Sequence, residues 1–251
     1  MAKKFMIRAD DLGYSRGVNY GILDSLQGEL VKTVGVMTNM EASEHGVELL
    51  KGMDLCLGQH TSISAGRPIT DPSKIPSITT SDGFLKSSSD YRSAKEDFVV
   101  LDEVILEIEA QYQRFVALTG QQPVYFEGHA VASDNFFKGL EIVAKKHSLK
   151  YLGMSLDGTP VTFNDTPVYL HMESMLPNYD PAEAILRAAK AHGNACDIYV
   201  CHPGYLDADI LEHSTLTTDR VHEVQALRDA ELRERLEELG VELVTFSDLL
   251  H

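Results

Sequence analysis

The chain has 251 residues, 43% hydrophobic and 24% charged, a globular usage that excludes disordered, collagenous and coiled-coil proteins. Lys and Arg number 22 against 38 Asp and Glu, and the net charge of −16 repels phosphate backbones and anionic lipid surfaces. Neither nucleic acid nor a membrane is therefore an expected partner.

Taken in chain order, short apolar runs alternate with longer helical patterns. Strands are predicted over residues 5–10, 31–38, 55–61, 123–130, 151–156, 197–203 and 241–246. Most lack clean apolar/polar alternation, as strands covered on both faces do. Helices are predicted over 17–29, 41–51, 96–119, 135–147, 181–192 and 218–239. The third of these places Leu101, Val104, Ile108, Tyr112 and Phe115 on one stripe. Gly120, Gly193 and Gly240 follow helical runs, where glycine supplies a left-handed close, and Pro181 opens its helix where proline is tolerated.

Strict alternation means a parallel sheet of about seven strands with helices outside, in one α/β domain spanning residues 1–251. An open doubly wound sheet and a closed barrel both fit this pattern. No GxGxxG follows the first strand and no GxxxxGK[ST] occurs, so the usual nucleotide cradles are missing. Two connections, 62–95 and 157–180, are too long for turns, and such loops are usually functional. No run reaches the ~20 apolar residues that span a bilayer. The apolar residues 5–7 are cut off by Arg8 and Asp10-Asp11, so they do not read as a secretory leader. Cys56, Cys196 and Cys201 lack CxxC spacing and read as free thiols of a cytoplasmic protein.

Chemistry collects at the predicted strand ends. His60, His129 and His202 each close a strand, and Asp10-Asp11 close the first. In a parallel α/β fold these ends face one rim, where sites are built. An Asp/His/His set is a fitting ligand combination for a divalent metal. Two adjacent carboxylates repel each other and need a compensating charge, such as a metal or Arg8. Regular strand geometry points Asp10 and Asp11 to opposite faces, so both reach one site only if the strand has ended. His45, His147, His192 and His222 fall on predicted helices and read as solvated or dipole-complementing; His171, His213 and His251 carry no assignment. Tyr14, Arg67, Met175 and Tyr205 lie near the motif loops and read as loop packing.

These residues also carry a resemblance. Arg8-Ala9-Asp10-Asp11-Leu12-Gly13, followed by Val18-Asn19-Tyr20-Gly21-Ile22, resembles the opening motif of the YdjC-like carbohydrate deacetylase family. Leu57-Gly58-Gln59-His60, Gly66-Arg67-Pro68-Ile69 and Asp71-Pro72-Ser73 resemble its second block, and His202-Pro203-Gly204-Tyr205 a late one. The resemblance implies a (β/α) barrel-like fold and metal-dependent removal of acetyl from an N-acetylated sugar or oligosaccharide. It implies Asp11, His60 and His129 as metal ligands, Asp10 as base and His202 as acid. It favours Mg²⁺, while two imidazoles suit Zn²⁺ as well. The third block departs from the family's Asp-x-His-x-His, reading Glu127-Gly128-His129-Ala130-Val131, and Thr61-Ser62 follow His60 in place of Leu-Asn. Other readings stay open: a metal-dependent amidase or esterase on a non-sugar substrate, a sugar isomerase, or a non-catalytic sugar-binding protein. A homodimer is left open too.

Overall fold

The computed structural model describes residues 3–155, 157–192 and 195–250. The predicted helix stop at Gly193 lies outside them.

The first half is built of β1 (Lys3–Leu12), α1 (Arg16–Ser25), β2 (Thr33–Val36), α2 (Ser43–Leu49) and β3 (Cys56–Thr61). Then come α3 (Ser88–Ser93), α4 (Leu101–Thr119), β4 (Tyr125–Gly128), α5 (Asp134–Lys146) and β5 (Lys150–Tyr151). The second half runs through β6 (Val161–Phe163), β7 (Thr166–His171), α6 (Pro181–Ala191), β8 (Cys196–Cys201) and α7 (Ala208–His213). It closes with α8 (Thr218–Leu227), α9 (Ala230–Glu238) and β9 (Val241–Leu243). Local chemistry sets several starts: the side chains of Ser15, Ser133, Asp180 and Asp229 accept backbone N–H groups in the first turns of α1, α5, α6 and α9. Gly120, at φ 72°, ends α4 in the left-handed conformation expected of it.

The strands form one sheet in the order β5-β4-β3-β2-β1-β8-β7-β6, with β9 on the start of β1. Every pairing is parallel except β6 with β7. Met6, Tyr125, Phe163, Val168 and Ile198 nevertheless share one buried cluster. Strands as far apart in the sheet as β4 and β6 can meet only if the sheet curls round that cluster, so it is a nearly closed barrel. Phe246 plugs it, with ring centroids 4.0 Å from Tyr125 and 4.7 Å from Phe163. The alternate residues Phe5, Ile7, Tyr199 and Cys201 belong to a second cluster with α1, α6 and α9, as the pleat requires. A third binds α4 and α5 to the segment after β3. Among the described residues no helix is long and apolar enough to cross a membrane.

The details differ from expectation in several places. The predicted connection 157–180 holds the β6–β7 hairpin, turned by Asn164 and Asp165 at φ 44° and 68°. Pro167 lies inside β7, where it faces Thr162 and leaves the β8 side of the strand to begin one residue later, at Val168. The predicted helix 218–239 is two helices, because Asp229 caps a new one. Of the described residues of the predicted strand 151–156, only Tyr151 falls in a strand, β5, and position 156 lies outside them.

Candidate metal centre

The centre begins with a defect in β1. Ala9 pairs with Val34 and Leu12 with Val36, so three steps on β1 oppose two on β2. Asp11 takes a φ of 75°, a conformation costly for a residue with a side chain. The strand has not ended at Asp10, the condition that regular strand geometry set for both to reach one site; a bulge inside it turns both carboxylates to one side. Asp10 lies with His60 and Glu127, and Asp11 with His60 and His129, the donor atoms of each trio within 4.8 Å of one another. Gly35 on β2 makes the room, since a Cβ there would stand 2.7 Å from Asp10 Oδ1.

Each carboxylate has its own arginine. Arg8 Nη2 donates to Asp10 Oδ2 at 2.6 Å, and Arg220 Nη2, from α8, donates to Asp11 Oδ2 at 2.7 Å. The repulsion of adjacent carboxylates is thus answered twice. Burial raises Asp10 and prevails over the pull of Arg8, leaving it more basic than an ordinary aspartate. Burial acts the same way on Asp11, but Arg220 and the two histidines outweigh it and hold that carboxyl well below the usual range.

His60 and His129 complete the cluster. His60 Nε2 stands 3.2 Å from Asp11 Oδ1 and 3.0 Å from His129 Nδ1, which is itself 3.4 Å from the same oxygen. His60 and Glu127 face each other across β3 and β4, and the Glu127 carboxylate takes His60 Nδ1 in a short contact. Arg8 reaches Glu127 as well, at 3.5 Å. A carboxylate fixing the far nitrogen of a ligand histidine is the usual support of a metal site. Burial opposes charge on His60, yet Glu127 and Asp10 hold its proton affinity well above the normal histidine range. Asp11 Oδ1 is buried with no hydrogen bond among the described residues. An oxygen so placed beside two imidazole nitrogens suits a divalent cation.

His202 follows β8. Its N–H donates to Glu223 Oε2 at 2.6 Å and its carbonyl accepts from Arg220 Nη1 at 3.2 Å. Burial pushes its ring down to about 4 against the upward pull of Asp11 and Asp10, so the ring is neutral at rest. All five residues singled out in the sequence therefore converge. Of the others, Arg67 stacks on Phe84 at 3.8 Å, Tyr205 donates to Asp24 at 2.6 Å, Tyr14 lies beneath Arg220 and Met175 is exposed. Sequence reasoning missed Glu127, Arg220 and Glu223. Glu127 was legible as a strand neighbour of His129, whereas the α8 pair had no signal.

A second trio, His171, His192 and Asp197, reads differently. Both imidazoles meet Asp197 Oδ1 at 2.7 Å, while Oδ2 takes Lys3 Nζ at 3.1 Å and the His192 N–H at 3.2 Å. That carboxylate is saturated and already beside a cation, so the trio is a latch joining β1, β7 and β8 to the end of α6.

A parallel β/α barrel with an Asp-His-His cluster at the carboxyl ends of its strands is the class that fold and site define. The chain belongs to the YdjC-like protein family, whose model matches residues 4–238. It is 31% identical over 262 residues to carbohydrate deacetylase 2 of Listeria innocua, covering 98% of each chain. It is 29% identical over 259 residues to the chitooligosaccharide deacetylase of Salmonella typhimurium, covering 99% of this chain and 100% of that one. The fold is shared with an Enterococcus faecalis protein described as a proposed cellobiose-phosphate cleavage protein, at a TM-score of 0.84 and 22% identity over 99% of both chains.

Proposed function

We propose that the chain is a metal-dependent carbohydrate deacetylase that hydrolyses the acetamide of an N-acetylated sugar or oligosaccharide. The observation that carries the reading is Asp11 Oδ1, without a hydrogen bond among the described residues and 3.2 and 3.4 Å from two imidazoles, with a separately anchored Asp10 beside it. The names of the Listeria and Salmonella relatives supply the substrate class. A divalent ion held by Asp11, His60 and His129 would polarise the acetyl carbonyl and acidify a water. One hard and two borderline donors accept either Mg²⁺ or Zn²⁺. Three buried free cysteines support a reducing, cytoplasmic setting.

The protein's own groups then divide the proton work. Arg8 holds one oxygen of Asp10, and the other, Oδ1, is buried without a hydrogen bond among the described residues. Asp10 takes one proton of the water as the water's oxygen bonds to the acetyl carbon. The proton held by Asp10 passes to His202 and from it to the nitrogen as the C–N bond breaks, because an amide nitrogen is a poor leaving group without it. The water's second proton is lost from the acetic acid formed. Acetate and the free amino sugar result. Because the His202 ring is neutral at rest, it acts as a relay that receives a proton before giving one.

Acetate release from N-acetylglucosamine oligomers, set against simple acetamides, tests the reading. Release from the oligomers that is lost in Asp10→Asn is the expected result. No acetate above background from any acetylated sugar, at full metal loading, would overturn it.

A further inference from the structure

The helix α8 sends two buried charged residues, three positions apart, to the two halves of the centre. Arg220 reaches Asp11, and Glu223, 1% exposed, reaches the segment of His202. Helix and segment are joined at three points: His202 N–H to Glu223, Arg220 to the His202 carbonyl, and the Gly204 N–H to the Arg220 carbonyl at 3.2 Å. Beyond the main chain, Ser174 Oγ lies 2.7 Å from Glu223 Oε1 and 3.5 Å from His202 Nδ1. Tyr179, bonded to Tyr199 at 2.8 Å, meets the same Oε1 at 2.7 Å.

A serine hydroxyl has one proton. If it goes to the Glu223 carboxylate, Ser174 can only accept from His202, which places the ring proton on Nδ1 and the lone pair on Nε2. A lone pair there is what a relay needs. We propose that Glu223, through the Ser174 hydroxyl and the His202 main chain, is a positioning residue that fixes the ring and tautomer of His202 for the deacetylation proposed above. The inference rests on that reading.

The groups facing Glu223 are Ser174, Tyr179 with Tyr199 behind it, the His202 N–H and, on its own helix, Arg220. Burial pushes its carboxyl up to about 7, the bonds from Ser174, Tyr179 and His202 lowering it only in part. The carboxylate that orders the chain thus forms as pH rises through neutrality, and kcat should rise with it.

The test compares Ser174→Ala, Ser174→Thr and Glu223→Gln with wild type on an N-acetylglucosamine oligomer. Metal content and the ¹⁵N shifts of the His202 ring are read alongside. Ser174→Ala should lower kcat roughly 10–100-fold, the usual cost of an outer-shell loss, with KM and metal unchanged and the Nδ1–H tautomer lost. Ser174→Thr should restore most of both. Glu223→Gln should be slow and lose the rise in kcat near pH 7; being isosteric, it carries the same readouts if Ser174→Ala does not fold. Wild-type kcat and an unchanged tautomer in Ser174→Ala and Glu223→Gln would overturn the inference. Failure of the deacetylase reading would appear separately, as a wild type that releases no acetate while the ring shifts still report on Ser174.

Discussion

Asp10 and Asp11 are neighbours in sequence that the bulge in β1 places in opposite electrostatic roles. Asp10 is held by Arg8 and remains basic, whereas Asp11 is driven toward full ionisation by Arg220 and two histidines. Asp10→Asn should keep its metal and substrate binding and lose ~10²–10⁴ in kcat, the usual worth of a positioned general base. An amide cannot take the water's proton. Asp11→Asn should weaken metal retention first, with rate partly recovered by excess ion, since its carbonyl oxygen still coordinates a hard cation without the charge. Elemental analysis beside steady-state kinetics separates the two, and the reverse pattern would exchange the roles. At this scale the sequence was informative wherever a residue closed a strand. Asp10, Asp11, His60, His129 and His202 were legible for that reason. Arg220 and Glu223 were not, because a helix face far along the chain gives no sign of which strand end it will meet.

The elements show why the long segment after β3 is part of the molecule and not an excursion from it. One face of α4 presents Glu103, Glu107 and Gln111 at successive turns, and these take the backbone of that segment. Glu107 accepts the Ile69 and Thr70 N–H groups at 3.0 and 2.9 Å, and Glu103 accepts Ser77 at 2.7 Å. Gln111 exchanges two hydrogen bonds with Ser62. Ile63, Ile75 and Ile78 are fully buried beneath. A segment so fastened, leaving directly from the strand that carries His60, is placed to shape a substrate pocket. Replacing residues 66–86 by a short Gly-Ser linker should raise KM or abolish turnover while metal content holds. Wild-type kinetics in that variant would show the segment to be dispensable. Its proline- and glycine-rich sequence signalled a functional loop but not the α4 ladder, which depends on side chains spaced along another element. The β6–β7 hairpin was hidden for a different reason: its strands are short, and Pro167 reads as a strand breaker although it sits where β7 has no ladder bond to give to β8.

For the whole molecule, sheet order does the assembling. With β1 flanked by β2 and β8, and β3 and β4 continuing on the β2 side, chain positions 10, 11, 60, 129 and 202 finish on one rim although up to 192 positions separate them. The alternation of strands and helices predicted a parallel sheet, and only the shared interior cluster decides for a barrel. The central claim is that this rim holds one divalent ion through Asp11, His60 and His129. Its most direct test is metal content by elemental analysis, after loading and dialysis, of wild type, His60→Ala and His129→Ala, with circular dichroism confirming the fold. The account predicts about one ion per wild-type chain and far less than one in each variant, both still folded, since His60 and His129 stand at the carboxyl ends of β3 and β4 and neither belongs to the apolar clusters. Unchanged stoichiometry in both variants would contradict it.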